Sequence, residues 1–365
     1  MTTDREDAPT PPVSVVMTAL NESRHLAAAV RSVFDQDYAG PLELVVAVGP
    51  SRDDTEAVAR ELAGTYPRLT VLTNPTGRTP AGLNIAIATT DPQSQFIIRT
   101  DGHAELPPDY VHLAVENLQQ TGAANVGGMM VPEGTTPFEC AVARAMSRRI
   151  GLGSVSFHVG GVAGPAPTVY LGSFRRDVLA GNGGFDEKYT RAQDWELNHR
   201  IQETGGLVWF DPRMKVAYRP RPNIHQLFRQ FRLTGMWRWQ IIRDYPSTAS
   251  VRYLAAPGAT LAIVFAVLVL LLDAMWWQNT VVALIAAIVP VAYLLFILVG
   301  SVLTGRGLSS RARLWYPIAL VTMHLSWGAG FLWRSCTDIL RGRFRPRAGD
   351  AANQRRSTRS DSTPG

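Results

Sequence analysis

Cysteine and lysine are scarce in this 365-residue chain. The two cysteines, Cys140 and Cys336, lie far apart and in no metal-ligand spacing, which argues against a disulfide scaffold or a cysteine zinc site and reads as two free thiols in a reducing compartment. Lys188 and Lys215 are the only lysines among 36 basic side chains, so arginine carries the net charge of +6, a usage that suggests a GC-rich bacterial genome. Residues 1–12 are polar, acidic and proline-containing, with no basic segment leading into an apolar run. No signal peptide is expected in such a flexible start, and the large N-terminal domain is expected in the cytosol. The arginine-rich stretch 334–359 lacks aromatic interleaving and any recognition motif, so it fits attraction to anionic membrane lipids, and no nucleic acid partner is expected.

Charged side chains are missing from residues 254–272, 280–303 and 314–332, each near the ~20 residues that cross a bilayer core. The chain thus reads as a soluble domain over 13–222, then interfacial amphipathic helices over 223–250, a helical membrane domain over 251–335 and a basic disordered tail over 336–365. In the amphipathic part Arg229, Arg232 and Arg238 alternate with Phe, Trp and Leu, and the alternative is an ordinary packed helix. The loop 273–279 has no basic residue, and the chain returns at Arg306, Arg311 and Arg313, as the positive-inside rule requires of a multi-pass protein with a cytoplasmic catalytic domain. A third crossing would break that rule, and Pro317, His324, Gly328 and Gly330 interrupt it, so its route stays open. His324 reads as a packing residue or as a functional ionisable group.

In the first domain, apolar strands at 13–18, 42–48, 69–72 and 96–101 alternate with helical patterns, which predicts an α/β fold with a mostly parallel sheet covered on both faces. No Gly-x-Gly-x-x-Gly follows the first strand, which disfavours a dinucleotide-binding dehydrogenase. A helix over 107–118, a strand over 124–131 and a Gly, Ser and Pro-rich loop over 151–172 follow, the loop near the site. A turn at Asn182-Gly183-Gly184-Phe185 precedes a helix starting near Gln193 and stopping at Gly205-Gly206.

Two places carry chemistry. Asp101-Gly102-His103 ends the fourth strand, where it either turns the chain or offers two metal ligands two residues apart. Asp194 falls in the first turn of a helix, where an acid either complements the helix dipole or acts as a base. Glu196 and Arg200, four apart, read as a surface pair.

Taken in order, the segments 13–22, 51–55, 81–84, 99–104, 171–176 and 193–200 resemble a family 2 glycosyltransferase of GT-A fold, specifically the membrane-anchored succinoglycan-biosynthesis type. The resemblance implies that Thr18, Leu20, Asn21, Glu22, Ser51, Asp53, Asn84 and Asp101 hold a nucleotide-sugar donor. It implies that Asp101 and His103 hold a divalent cation, Mn²⁺ or Mg²⁺, against the diphosphate, and that Asp194 is the catalytic base. Gln193, Trp195, Arg238 and Trp239 fall on the acceptor or phosphate side. The chain departs from the family pattern at Val48-Gly49-Pro50, where an acid pair is usual, at Gln193, where a Glu is usual, and at His103, where an Asp is usual. Arg238-Trp239 lacks the glutamine that precedes this pair in polymerising members, which argues against a processive synthase.

The expected function is an inverting transfer of sugar to a membrane-bound, polyprenyl-linked saccharide acceptor in envelope or exopolysaccharide synthesis at the bacterial inner membrane. The alternatives are a polyprenyl-phosphate sugar synthase and a catalytically silent nucleotide-sugar sensor or scaffold.

Overall fold

The computed structural model describes residues 10–342 except 154. The chain divides into two compact units, one formed by Met1–Pro132 with Ser154–Tyr218 and the other by Glu133–Gly153 with Arg219–Gly365.

The first unit is built on an eight-stranded sheet: β1 Val13–Ala19, β2 Leu42–Val48, β3 Leu69–Thr73, β4 Phe96–Asp101, β5 Asn125–Pro132, β6 Gly164–Pro165, β7 Tyr170–Arg175 and β8 Val208–Tyr218, in the order β3-β2-β1-β4-β7-β5-β8-β6. The four strands β3, β2, β1 and β4 run parallel, β7 is antiparallel to both β4 and β5, and β5 pairs parallel with β8. The expected mostly parallel α/β sheet is therefore present. Strands buried on both faces read as continuous apolar runs, and β1 shows why. Its Val13, Val15 and Met17 enter one core with Leu26, Val30 and Tyr110, while Val16 points to the other with Leu83, Leu197 and Ile201.

The helix expected from 107 begins at Tyr110, because Pro107 and Pro108 hold the preceding backbone outside helical geometry and Tyr110 N–H closes a turn on the Pro107 carbonyl at 3.0 Å. The segment expected as a long loop contains the short turns Arg149–Leu152 and Ser156–Val159 and the strand β6.

The second unit contains the helices Pro137–Met146, Ile224–Asp244, Val251–Leu272, Thr280–Thr304 and Ser310–Leu340. Among the described residues, Val251–Trp277 and Thr280–Thr304 are long and apolar enough to cross a membrane. The third expected hydrophobic segment does not join them. It lies in a 31-residue helix that buries Tyr316, Leu320, Met323 and Phe331 within the unit, and Gly328 and Gly330 are close-contact points rather than breaks. A Cβ at Gly330 would stand 1.9 Å from the Arg232 carbonyl oxygen, and one at Gly235 2.0 Å from that of Trp327. The helix Ile224–Asp244, expected to be interfacial and amphipathic or an ordinary packed helix, buries Leu227, Phe231 and Gly235, and Gly235 packs on a neighbouring helix. His324 Nε2 pairs with the Ile150 carbonyl at 2.8 Å, a packing role. The helix runs to Leu340, so 336–340 are ordered where a tail was expected; the rest of the tail beyond 342, and residues 1–9, lie outside the described residues.

Strand β5 passes between β7 and β8 only because it carries Gly127 and Gly128: a Cβ at Gly128 would sit 1.7 Å from the Met214 carbonyl oxygen, and one at Gly127 2.6 Å from that of Tyr170. Gly128→Ala should destabilise the protein by about 2 kcal/mol or more, since backbone, not a flexible side chain, must yield. Thermal unfolding of the full chain in detergent checks this, and an unchanged midpoint would contradict it.

Candidate active site

Open α/β sheets bind ligands where strand order reverses, beyond the carboxyl ends of the strands. Here β1 lies between β2 and β4, with Ala19 paired to Val48 and Thr18 to Asp101. Sequence-predicted residues from the loops after all three strands meet at this point.

On the β2 side the two loops are stitched together. Asn21, at φ +57°, donates its backbone N–H to Ser51 Oγ at 3.0 Å and accepts from Arg52 N–H on Oδ1 at 2.8 Å. Asp53 Oδ2 accepts from the Ser23 hydroxyl at 2.8 Å, and Thr55 Oγ1 accepts from Glu22 N–H at 2.7 Å. The Thr55 hydroxyl, with help from Ser23, holds the Asp53 carboxyl down at about 2, so it stays ionised through the neutral range. Leu20 is exposed beside them. The missing acid of this loop has a steric reason: a Cβ at Gly49 would lie 3.0 Å from the Gly77 Cα and 3.1 Å from Leu20 Cδ1. A side chain at that position would require these neighbours to give by a few tenths of an ångström.

On the β4 side stands the residue that sequence reading left without a role. Arg99 is 4% exposed inside the strand, and its guanidinium forks: Nη2 donates to Asp101 Oδ1 at 2.7 Å and Nη1 to Asp194 Oδ2 at 3.0 Å. Its signal was visible as a charged residue in a β-branched run, where an unpaired cation would be costly. Asp194 is delivered by the first turn of the helix Gln193–Glu203, entered through Ala192 at φ +60°. Burial pushes its carboxyl upward, Arg99 pulls it down, and Asp101 raises it again; the balance is above the usual carboxylate range. Its other oxygen, Oδ1, has no hydrogen-bond partner among the described residues. That atom is an acceptor without a donor, the condition expected of a base before its substrate arrives.

His103 Nδ1 lies 2.8 Å from Glu22 Oε1, tying the loop after β4 to the loop after β1. Asp101 and His103 supply one oxygen and one nitrogen donor, a set that suits Mn²⁺. Among the described residues no third His, Cys, Asp or Glu completes a cluster, so the pair fits a cation only if a ligand supplies the remaining donors.

Other predicted residues have structural partners. Asn84 donates to the Phe185 carbonyl at 2.8 Å and accepts from Phe185 N–H at 2.9 Å, pinning the turn at Gly184. Gln193 is buried, and the Trp195 ring stacks on His199 at 5.3 Å. Arg238 and Trp239 belong to the helical unit: Arg238 covers the Tyr253 ring at 3.9 Å, and Trp239 Nε1 donates to Asp338 Oδ2 at 3.1 Å. The expected Glu196–Arg200 surface pair instead has its acid buried and its guanidinium partly so. Glu196 is 0% exposed, its two oxygens take Arg200 Nε and Nη2 at 2.8 and 2.9 Å, and the same guanidinium caps the carbonyls of Asn182 and Gly184. The helix carries its apolar Leu197 and Ile201 into the core, and Glu196 goes with them.

The sheet is of the Rossmann-like GT-A type, and residues 14–180 match the model of glycosyl transferase family 2. The chain thus carries a region, residues 14–180, that is similar to that family. It is 28% identical over 330 residues, 90% of its length and 96% of the relative's, to the succinoglycan biosynthesis protein ExoA of Rhizobium meliloti (strain 1021). Its fold is like that of the mannosyltransferase PcManGT from Pyrobaculum calidifontis, solved with GDP-Man and Mn²⁺, at a TM-score of 0.55 and 21% identity over 90% of this chain and 89% of that one.

Glu196→Ala should cost about 3 kcal/mol, because it leaves the Arg200 guanidinium partly buried without its carboxylate. Denaturant unfolding of the detergent-solubilised chain reads this out; a change below about 0.5 kcal/mol, the range of ordinary surface substitutions, would show that the pair is not load-sharing.

Proposed function

We propose that the protein transfers a glycosyl group from a sugar nucleotide, with inversion at the anomeric carbon, to a hydroxyl of a membrane-bound saccharide acceptor during assembly of an exported or envelope polysaccharide. The observation that carries this reading is the Arg99 fork, which holds Asp101 and Asp194 at one end of the sheet. The first acid stands where the leaving diphosphate is held, and the second where an acceptor hydroxyl is activated.

The stitched loops at Asn21, Ser51 and Asp53 receive the nucleoside. Asp101 and His103 would hold the divalent cation, which would supply positive charge to the phosphate leaving group. Asp194 Oδ1 accepts the proton of the acceptor hydroxyl as its oxygen bonds to the anomeric carbon, and the bond from that carbon to the phosphate oxygen breaks. Burial that raises the Asp194 carboxyl makes it a stronger proton acceptor, while the Arg99 charge opposes that rise. A single displacement inverts the configuration.

The likeness to a succinoglycan biosynthesis protein supports a polysaccharide product, and the Mn²⁺ complex of the archaeal mannosyltransferase supports Mn²⁺ as the cation. The helices Val251–Trp277 and Thr280–Thr304 support a bilayer location and hence a polyprenyl-linked acceptor.

Asp194→Asn should lower transfer by about 10²–10⁴-fold while leaving the donor KM within about threefold, as expected when only proton abstraction is lost. Release of nucleoside diphosphate across a donor and acceptor panel measures it, and full activity in the variant would exclude Asp194 as the base. The full chain should stay in the membrane pellet after an alkaline carbonate wash; complete release would contradict the bilayer location.

A further inference from the structure

We infer that Arg99 is a positioning residue that makes cation binding depend on the donor: its guanidinium occupies the Asp101 carboxylate until a diphosphate arrives with the metal, and it then remains as the partner of Asp194. The inference rests on the glycosyltransferase reading above.

Three observations carry it. Asp101 Oδ1 is already engaged by Arg99 Nη2 at 2.7 Å, so a cation must compete with a full positive charge for this ligand. Arg99 is 4% exposed and sits in the middle of a strand, so it has no solvent-facing position to retreat to. Among the described residues no group of three ligating side chains exists, so Asp101 and His103 cannot offset that repulsion by themselves. A diphosphate changes the balance, because it brings oxygen ligands and negative charge together. As Asp101 turns to the cation, the second arm of the fork still donates to Asp194 Oδ2 at 3.0 Å. The base thereby stays paired and oriented while the donor side is assembled. Lysine places its charge and three donors on a single nitrogen without the planar fork, so it matches the two carboxylates less well.

The test is titration of the full chain in detergent with Mn²⁺ alone, and with Mn²⁺ plus GDP or UDP, following free Mn²⁺ by electron paramagnetic resonance. Wild type should bind Mn²⁺ alone weakly and at least about tenfold more tightly with one of the nucleotides. Arg99→Gln should bind Mn²⁺ alone about tenfold or more tightly than wild type, while its transfer rate falls by at least about tenfold with the donor KM little changed. Arg99→Lys, which keeps the charge and protects folding, should show a smaller gain in Mn²⁺ affinity and partial transfer. Asp194→Asn should move the other way, weakening Mn²⁺ alone, because the whole guanidinium becomes available to Asp101. A purely structural arginine would lose activity without tightening metal binding. If wild type responds to nucleotide but the Arg99 variants bind Mn²⁺ no more tightly, the inference is overturned and the glycosyltransferase reading stands. If wild type binds no Mn²⁺ with either nucleotide, both the inference and the cation site fall.

Discussion

The structure depends on one buried positive charge. Arg99 stands in the centre of a sheet where desolvation is severe, and it is tolerable only because two carboxylates meet it from different elements, one at the end of its own strand and one on the helix Gln193–Glu203. The same requirement runs outward. The helix that carries Asp194 must be fixed in rotation, and Glu196 with Arg200 fixes it by clamping the turn at Asn182 and Gly184, which Asn84 holds from the other side. A charge that cannot be left unpaired thus sets the position of a carboxylate distant in sequence.

Across β1 the chemistry is different. The loops after β1 and β2 are joined by short polar side chains, Ser51, Asp53 and Thr55, each bonded to the backbone or hydroxyl of the opposite loop. Close backbone approach makes Gly49 a tight position for any side chain, a Cβ there falling 3.0 Å from the Gly77 Cα. The β2 side of the site is therefore shaped by backbone packing and hydroxyl groups, while the β4 side is shaped by buried ion pairs.

Much of this was legible in the sequence. Alternating apolar runs and helical patterns led to the parallel half of the sheet, and ordered motifs led to Asp101, His103 and Asp194. What sequence could not give was partnership. Arg99 lies two residues from Asp101, yet its bond to Asp194 spans 95 positions of sequence. Glu196 and Arg200 have the spacing of a surface pair, and only the direction of the helix decides that its acid is buried. In the helical unit, the route of the third hydrophobic segment and the choice between interfacial and packed helix stayed open in the sequence, and Gly235 and Gly330 let the two pack on each other. Composition does not distinguish a face that meets lipid from one that meets protein.

The central claim is a single displacement, with Asp194 activating the acceptor on the face opposite the leaving diphosphate. The anomeric configuration of the product, read by nuclear magnetic resonance after reaction of a donor of defined configuration in Mn²⁺, tests it most directly. The account predicts the opposite configuration to that of the donor. A product that keeps the donor's configuration would contradict it.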